Sequence, residues 1–578
     1  MSVLRVHATC TSLDPASLES GRDLVLEISE AFAILAPPGV YVGDELAAKD
    51  KLEIDHVAGS VLAEWRRAVD GQLTVDGFCL PFAWEREVLA SAVLPTLRAI
   101  RGVAAALDRW SPTVLELDSD LNLADTLTAA AQRAAPHVKV RRLDGRPAVL
   151  LGQIPRGRKT LGTRILGAVD HFGIPSRVRP GAVVVVGYWS MAAASDELLA
   201  SPTHLPAAML TMRLPGVGRT VRAMRQGGWI GVPGRRAVER AGQDVAAALG
   251  SLGPVPPISA FGIDVGAAVH AAAREVAMQR GAADLAIARM MRSALKGSCV
   301  SAVLLPFDST PGTRLLVEAA RETGVPTIVL AHSGYWFPAI VHDMEVADEV
   351  AVWSARAVDR IDAKGRRMHV TGYPNGRAPA PVRTRRMPLR APRIVVLDQP
   401  AFPLSTLVDA RMAGMHYETA VRAVSRVAPD AVVVLRPHPS RSTTTSETIR
   451  SRFPTVTIEL ASKGPILDVF RDADLCIGSA STATLEAAYA GVPVVVLDLT
   501  GVAWPWPLGG DTDVPIARNE EELAGAVREL LGSGRFPGRH SLLSAIGALP
   551  EMDVARHVEF VPGVPGRLPG GHGGSPGA

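Results

Sequence analysis

Two short turns in the C-terminal part of the sequence combine groups that bind anions. The apolar run AVVVL at 431–435 is followed directly by RPHPS at 436–440, in which prolines frame a cation and an imidazole. The apolar run LCI at 475–477 is followed by GSAST at 478–482 and then by the helix formers LEAAYA at 485–490. Unpaired N–H groups at a helix N-terminus, hydroxyls and a guanidinium all favour a phosphate. We therefore predict a phosphate site formed by Arg436, His438, Gly478, Ser479, Ser481 and Thr482.

Each turn also has a purely structural interpretation. A Ser/Thr run before a helix is a common N-cap, and Glu486 is then an ordinary surface residue of that helix. A single histidine after a strand, such as His438, more often supports the local fold than a ligand. The two turns together favour a ligand, because open α/β sheets bind ligands at the carboxyl ends of their strands, where both turns would lie. We refer to residues 436–440 as the His-Pro turn and to residues 478–482 as the Ser/Thr turn.

Two residues in the preceding part of the chain are candidate general bases. His332 follows the strand-like run TIVL at 327–330, and an imidazole has a pKa suited to proton transfer near neutral pH. Asp308 follows the run AVLL at 302–305 and would either orient His332 or accept the proton itself. The alternatives are a histidine that hydrogen-bonds locally and an aspartate that caps a turn.

The elements that must position these residues alternate between strand-like and helix-like segments, which predicts an α/β protein with parallel sheets. A chain of 578 residues exceeds what one core supports, so two large domains are expected. We place an N-terminal domain at 1–376 with an insertion around 150–260, a Pro- and Arg-rich linker at 377–393, and a second domain at 394–560. The Gly- and Pro-rich segment 561–578 predicts a disordered tail.

Composition narrows the class of protein. A net formal charge of +3 and the lack of a helix-turn-helix or RNA-binding aromatic motif argue against a nucleic-acid partner. Four widely separated cysteines, without CxxC or Cys/His spacing, argue against zinc and against a disulfide framework. The N-terminal residues lack the pattern of a signal peptide, so a cytoplasmic protein is expected.

The order of these motifs resembles the GT-B glycosyltransferases, and within them bacterial surface-polysaccharide enzymes such as the CDP-glycerol glycerophosphotransferases and the capsule sialyl- and Kdo-transferases. UDP-GlcNAc 2-epimerase is a more distant likeness. The resemblance implies two Rossmann-like parallel-sheet domains that face a cleft. It places the His-Pro turn and the Ser/Thr turn on the phosphates of a nucleotide donor, and Glu486 on its ribose. The family has a His-Gly pair where this chain has HSG at 332–334.

The resemblance also implies an activity. A sugar or alditol phosphate would pass from a nucleotide-sugar or CDP-alditol donor to a glycan or lipid-linked acceptor, with no metal and no other cofactor. A nucleotide-sugar epimerase or hydrolase on the same fold is an alternative, as is a catalytically silent scaffold protein in polysaccharide export.

Two further features leave alternatives open. Asp118 and Asp120 form an Asp-x-Asp pair after the strand-like run VLEL at 114–117, which is the form of a metal motif that would hold the donor phosphate through Mn²⁺ or Mg²⁺. A basic stretch with interleaved apolar residues either contacts anionic lipid at the inner membrane or is a solvated face. Its arginines are Arg213, Arg219, Arg222, Arg225, Arg235 and Arg236.

Overall fold

The computed structural model describes residues 3–9, 13–27, 35–118, 123–143, 173–202, 204–210, 216–331, 345–358, 365–373, 391–398, 405–438, 443–462, 464–479, 481–502, 513–548 and 561. In these residues the chain forms three predominantly parallel sheets of four, eight and six strands, together with two short hairpins.

Residues 3–143, which we call the N-terminal unit, carry the four-stranded sheet. In chain order the unit contains β1 (Val3–Thr9), β2 (Asp23–Glu27), α1 (Ala48–Val69), β3 (Thr74–Val75), β4 (Phe78–Cys79), α2 (Leu80–Ala83), α3 (Glu85–Val88), α4 (Leu94–Trp110), β5 (Val114–Asp118), α5 (Ala124–Ala134) and β6 (Lys139–Leu143). The sheet order is β2-β1-β5-β6 with all pairs parallel, and β3 and β4 form a hairpin.

One helical stretch in this unit, Glu85–Trp110, is long and apolar enough to cross a membrane by length and composition. A π-helical turn at Leu89–Val93 joins α3 to α4 within it. In the fold, 61% of its apolar window is buried inside the protein, and its residues Leu97, Ile100 and Val103 lie in the main hydrophobic core. This burial is typical of a core helix, so the stretch is weak evidence for a membrane span.

The eight-stranded sheet follows. Its part of the chain contains β7 (Arg177–Val178), β8 (Ala182–Val185), α6 (Ala192–Ala200), β9 (Leu205–Met209), α7 (Val217–Gln226), β10 (Gly228–Ile230), α8 (Arg235–Gly250), β11 (Ser259–Ala260), β12 (Ile263–Asp264), α9 (Gly266–Ser298), β13 (Ala302–Leu305), α10 (Pro311–Glu322), β14 (Thr327–Leu330), β15 (Glu349–Val352), α11 (Ala355–Val358) and β16 (Arg367–Val370). The order is β16-β15-β14-β13-β8-β9-β10-β7, and only β7 is antiparallel to its neighbour. The strand order therefore reverses between β8 and β13.

The six-stranded sheet occupies the C-terminal part. It contains β17 (Arg393–Leu397), α12 (Ala410–Val427), β18 (Val432–Arg436), α13 (Thr444–Arg452), β19 (Ile458–Leu460), α14 (Ile466–Phe470), β20 (Leu475–Gly478), α15 (Thr482–Tyr489), β21 (Val494–Leu497), β22 (Ile516–Ala517), α16 (Glu520–Ser533) and α17 (Arg539–Ala545). The order β19-β18-β17-β20-β21-β22 is the 3-2-1-4-5-6 order of a Rossmann-like sheet, with every pair parallel.

The predicted fold class, an α/β protein with two Rossmann-like parallel sheets, is confirmed. The N-terminal unit, however, forms a sheet of its own, which the expected single domain at 1–376 did not anticipate. The described part of the predicted insertion at 150–260 supplies β7 to β10 to the large sheet. The buried β8 pairs with β13, β9 pairs with β8, and β10 pairs with β9 and β7.

Of the segment predicted as a tail, 561–578, the structure describes Val561 alone. Val561 is 2% exposed and packs in the cluster that contains Val183 of β8 and Ala302 of β13. After the six-stranded sheet the chain therefore returns to the core of the eight-stranded sheet. Residues 562–578 lie outside the described residues, as does the linker prediction for 377–390.

Candidate functional site

The two turns predicted from the sequence lie at one edge of the six-stranded sheet. Arg436 is the last residue of β18 and Gly478 is the last residue of β20, so both turns leave the carboxyl ends of their strands. Between those strands lies β17, and the order of the sheet reverses between β17 and β20. Crevices at such reversal points are where α/β sheets bind ligands.

The Ser/Thr turn is closely packed at its start. A Cβ atom at residue 478 would lie 2.4 Å from Oγ1 of Thr484, so this position requires glycine. Ser479 is fully buried, and its Oγ donates a 3.4 Å hydrogen bond to the backbone carbonyl of Asp398 at the end of β17. Oγ1 of Thr484 donates a 2.7 Å bond to the backbone carbonyl of Ser479. The side chain of Ser479 thus holds the turn in place and does not face a ligand.

The hydroxyls nearer the surface of this turn belong to Ser481 and Thr482, which are half-buried. Ser481 is the N-cap of α15, and its Oγ accepts a 3.3 Å bond from the backbone N–H of Ala483. The N-cap interpretation is therefore present in the structure. It does not exclude anion binding, because the first N–H groups of a helix and the helix dipole attract an anion at the same place.

The two polar residues of the His-Pro turn, Arg436 and His438, lie in different environments. Arg436 is 7% exposed, and its guanidinium donates to the backbone carbonyls of Ala461 at 2.6 Å and Gly464 at 2.8 Å. Burial lowers the pKa of Arg436 from its ordinary value. Arg436 is thus a buried positive charge that holds the segment after β19. The side chain of His438, in contrast, is exposed at the edge of the sheet.

Asp398, which the sequence interpretation did not single out, connects the turns. It directly follows β17, and its backbone N–H donates a 3.0 Å bond to the backbone carbonyl of Arg436. Its Oδ2 accepts a 3.1 Å bond from the backbone N–H of His438, and its backbone carbonyl accepts from Ser479. The available signal was an aspartate that immediately follows the apolar run IVVL at 394–397.

Glu486 lies on α15, where the six-stranded sheet meets the eight-stranded sheet. Its Oε1 accepts a 2.8 Å hydrogen bond from the hydroxyl of Tyr373, which follows β16. Burial raises the pKa of Glu486 to about 7, while the Tyr373 bond and the charge of Arg436 act in the opposite direction. The ring of Tyr373 packs edge-on against Trp353, with 5.3 Å between the ring centroids, and lies against Tyr489 with 5.0 Å between the centroids. The carboxyl edges of the two large sheets therefore face each other.

The candidate base Asp308 is fully buried. Its carboxylate accepts backbone N–H bonds from Glu345 at 3.0 Å, Val346 at 2.7 Å and Ala347 at 2.8 Å. Burial raises the pKa of Asp308, and the three amides oppose that rise. This geometry favours the turn-capping role over the catalytic one, because the carboxylate points into the backbone before β15. His332 lies outside the described residues, which stop at Ala331 and resume at Glu345.

The reversal point of the eight-stranded sheet, between β8 and β13, is lined by aromatic rings. Tyr188 follows β8 and Phe307 follows β13, and their rings meet edge to face at 5.5 Å. Ser190, in the same connection as Tyr188, is 2% exposed, and its Oγ has no hydrogen-bond partner among the described residues. The sequence interpretation missed this group, because an aromatic residue after a strand is not by itself a ligand signal.

The rival Asp-x-Asp pair belongs to another part of the fold. Asp118 is the last residue of β5 in the four-stranded sheet, whereas the His-Pro turn and the Ser/Thr turn follow strands of the six-stranded sheet. Asp120 and the side chain of Asp118 lie outside the described residues. Within the described residues, no group of three or more His, Cys, Asp or Glu side chains is arranged to hold a metal ion.

Of the basic stretch, Arg219, Arg222 and Arg225 lie on α7 and Arg235 and Arg236 begin α8, while Arg213 lies outside the described residues. Val217 on α7 is 81% exposed, while Arg219 pairs with Asp196 at the start of that helix. A cavity of about 380 Å³ beside α7 is lined by Arg177, Arg179, Val221, Met224, Arg225, Gly228 and Trp229. This surface lies at the β7 edge of the eight-stranded sheet, away from the reversal point between β8 and β13.

Comparison with known proteins finds a family model that matches part of the chain. Residues 264–505 match the model of a family described as "Putative glycosyltransferase (DUF6716)", and this range includes the His-Pro turn and the Ser/Thr turn. No curated protein matches the chain. Similar solved structures include UDP-GlcNAc 2-epimerase from Neisseria meningitidis bound to UDP-GlcNAc, with 12% identity, a TM-score of 0.38, and coverage of 64% of this chain and 96% of that one.

Two further solved structures are similar to this chain. MurG from Acinetobacter baumannii has 13% identity and a TM-score of 0.32, with coverage of 64% of this chain and 94% of that one. A ugt transferase from Siraitia grosvenorii in complex with UDP has 11% identity and a TM-score of 0.35, with coverage of 64% and 96%.

Proposed function

We propose that the protein is a metal-independent glycosyltransferase or alditol-phosphate transferase, which moves a group from a nucleotide-activated donor to a cell-surface glycan acceptor. One observation carries this proposal. The residues that follow β17, β18 and β20 meet at the reversal point of the six-stranded sheet, where Asp398 hydrogen-bonds to both His438 and Ser479. The match of residues 264–505 to a glycosyltransferase family supports it.

On the donor side, the diphosphate lies against the N-terminus of α15, where Ser481, Thr482 and the helix dipole stabilise its charge. His438 reaches the same phosphates from the exposed His-Pro turn. Arg436 acts at longer range as a buried cation, since its nitrogens already hold backbone carbonyls. Glu486 accepts hydrogen bonds from the ribose hydroxyls. These groups stabilise the negative charge that develops on the departing nucleotide.

On the acceptor side, His332 accepts the proton of the acceptor hydroxyl. The hydroxyl oxygen then forms a bond to the transferred group, and the bond from that group to the nucleotide phosphate breaks. The nucleotide leaves with the bonding electron pair, and the proton remains on His332. The crevice between β8 and β13, with Tyr188, Phe307 and Ser190, is the natural place for the acceptor.

The experiment that tests this proposal follows the products. The protein is incubated with nucleotide-sugars and CDP-glycerol, with and without a glycan acceptor, and the products are analysed by mass spectrometry. We expect nucleotide release and a modified acceptor only when both substrates are present. Nucleotide release or an epimerised sugar with donor alone would replace the proposal with a hydrolase or epimerase. Nucleotide binding without turnover on any acceptor would favour a scaffold protein.

A cytoplasmic location follows from the proposed donor. The proposed acceptor implies that the enzyme acts at the inner face of the membrane. The exposed Val217 and the arginines of α7 would serve for a peripheral contact with anionic lipid.

A further inference from the structure

One side chain of the eight-stranded sheet makes two contacts with α15, the helix after the Ser/Thr turn. Tyr373 follows β16, and its hydroxyl donates a 2.8 Å hydrogen bond to Oε1 of Glu486. Its ring lies against Tyr489, with 5.0 Å between the ring centroids. Glu486 and Tyr489 are three positions apart on α15, so they lie on one face of that helix. Tyr373 therefore packs on the face of α15 that carries Glu486.

The carboxylate of Glu486 can accept a further hydrogen bond. Glu486 is half-buried, and among the described residues Tyr373 is the only one that donates a hydrogen bond to it. That bond goes to Oε1, so Oε2 can accept from a hydroxyl group of a ligand. An ionised carboxylate accepts stronger hydrogen bonds than a neutral one. The Tyr373 bond favours the ionised form, because it opposes the rise in the pKa of Glu486 that burial causes.

The eight-stranded sheet holds Tyr373 through its backbone and through its ring. Thr371, two residues earlier, donates to the backbone carbonyl of Val352 from its N–H at 2.8 Å and from its hydroxyl at 3.2 Å. The ring of Tyr373 packs edge-on against Trp353, and Nε1 of Trp353 donates a 2.7 Å bond to the backbone carbonyl of Ala331. Tyr373 and Trp353 are both buried. The fold therefore fixes the direction in which the Tyr373 hydroxyl points.

A second contact fixes α15 relative to the turn that carries Tyr373. On one side, Nε of Arg539 in α17 donates a 3.3 Å bond to the backbone carbonyl of Ala488 in α15. On the other side, Gly547 follows α17 with a φ of +62°, and a Cβ atom at this position would lie 1.9 Å from the carbonyl oxygen of Trp353. The position therefore requires glycine. The chain after the six-stranded sheet thus contacts both partners of the hydrogen-bonded pair.

We propose that Tyr373 is a positioning residue for nucleotide binding, which holds the Glu486 carboxylate so that Oε2 accepts a hydrogen bond from the donor ribose. This inference rests on the proposed function, in which Glu486 contacts the ribose. Tyr373 acts through Glu486 and does not itself touch the nucleotide. It belongs to the eight-stranded sheet, whereas the other groups proposed for the donor belong to the six-stranded sheet and its helices. Recognition of the ribose therefore requires contact between the two large sheets.

The test compares nucleotides with and without the ribose hydroxyls. Dissociation constants of UDP, CDP, GDP and their 2′,3′-dideoxy counterparts are measured by calorimetry for wild type and for Tyr373→Phe. This substitution keeps the ring and its packing and removes only the hydroxyl, and thermal unfolding shows that the variant is folded. Tyr41→Phe is the matched control, because it removes the hydroxyl of another buried tyrosine, which accepts a 3.1 Å bond from Arg98 in the N-terminal unit.

The measured quantity is the ribose preference, the dissociation constant of the dideoxynucleotide divided by that of the ribonucleotide. We expect a preference of about 10- to 150-fold in wild type, since the dideoxynucleotide lacks the bond to a charged group. In Tyr373→Phe the preference should fall about fivefold or more, because only the ribonucleotide binds more weakly. In Tyr41→Phe it should stay within about twofold of wild type. A purely structural role of Tyr373 would weaken both nucleotides equally and leave the preference unchanged.

A double variant tests whether Tyr373 acts through Glu486. Tyr373→Phe/Glu486→Gln should show the same ribose preference as Glu486→Gln alone. A further fall in the double variant, or an unchanged preference in Tyr373→Phe, would overturn the positioning role and leave the proposed function in place. Wild-type protein that binds both nucleotides equally would overturn the ribose contact of Glu486 and this inference with it. Failure of wild type to bind any nucleotide would overturn the proposed function itself.

Discussion

The hydroxyl of Tyr373 donates a 2.8 Å hydrogen bond to Oε1 of Glu486, and this bond crosses between the two large sheets. Tyr373 follows the carboxyl end of β16, whereas Glu486 lies on the helix that follows β20. The residue that we expect to contact the donor ribose is therefore held by the other half of the cleft. Its ionisation state depends on that contact, because burial and the hydrogen bond act on its pKa in opposite directions.

Glu486 should make the stability of the protein depend on pH. Its pKa is raised from 4.5 to about 7, so its contribution to stability is fully present below about 4.5 and is lost as pH rises through about 7. Relative to Glu486→Gln, wild type should thus lose stability between about pH 5 and pH 8, by at most about 3 kcal/mol. Thermal unfolding midpoints of both proteins across this range provide the measurement.

The variant Tyr373→Phe is the matched control for this pH dependence. The Tyr373 bond lowers the pKa of Glu486, so its removal should move the transition to higher pH. A constant difference between wild type and Glu486→Gln from pH 5 to pH 8 would show that Glu486 has an ordinary pKa.

Ser481→Ala should weaken nucleotide binding beyond the loss of a helix cap. Loss of an N-cap costs about 1 kcal/mol of stability, and loss of a bond to a charged phosphate costs about 1.5 to 3 kcal/mol of binding. Asn519→Ala is the control, because Asn519 caps α16 of the same sheet through a 2.9 Å bond from the backbone N–H of Glu522. Calorimetry should show weaker binding only in Ser481→Ala. Equal nucleotide affinity in the two variants would leave Ser481 with a capping role alone.

Asp308→Asn should lower stability and leave most of the transfer activity. An asparagine retains one acceptor oxygen, so at least one of the three backbone N–H groups loses its partner, at a cost of about 1 to 3 kcal/mol. His332→Ala, in contrast, should lose about 100- to 10,000-fold in transfer rate while nucleotide affinity is retained. The measurements are thermal unfolding and steady-state kinetics. An Asp308→Asn protein of normal stability that has lost transfer would assign the general base to Asp308.

Transfer should survive removal of divalent metal ions. In the proposed mechanism, the helix N-terminus and hydroxyls of the Ser/Thr turn and the buried guanidinium of Arg436 would neutralise the phosphates without a metal. If Asp118 and Asp120 held the donor instead, their carboxylates would require Mn²⁺ or Mg²⁺ between them and the diphosphate. Activity is measured after exhaustive EDTA treatment and in Asp118→Ala/Asp120→Ala. Activity lost to EDTA, restored by Mn²⁺ and absent in the double variant would move the donor site to this pair.

The sequence predicted the positions of the His-Pro turn and the Ser/Thr turn, because short buried runs of Val, Leu and Ile mark parallel strands and the residues directly after them lie at the carboxyl edge. Such a pattern does not predict the direction in which a side chain points. Arg436 directly follows the apolar run of its strand, as ligand-binding residues do. Its guanidinium nevertheless donates hydrogen bonds to backbone carbonyls 25 and 28 residues later in the chain. That contact depends on where β19 and the segment after it lie in the fold.

The separate sheet of the N-terminal unit was also beyond the sequence pattern, although its strand at 114–117 was predicted. Its first strand, VLRVHAT at 3–9, alternates buried and more exposed residues over positions 3–7, and His7 pairs with Asp23 of β2 at 3.2 Å. It lacks a continuous apolar run like the one that predicted strands such as AVLL at 302–305. The 2.8 Å hydrogen bond from the backbone N–H of Thr406 to Asp55 on α1 joins residues far apart in the chain, and only the tertiary fold shows it.

The most direct test of the central claim is nucleotide binding to wild type and to His438→Ala. The side chain of His438 is exposed, so its removal should leave the fold intact while one phosphate contact is lost. We predict that at least one of CMP, CDP, UDP and GDP binds the wild-type protein in the presence of EDTA, and that its dissociation constant rises roughly 10- to 150-fold in the variant. A folded His438→Ala protein that binds the same nucleotide with unchanged affinity would contradict the donor site described above.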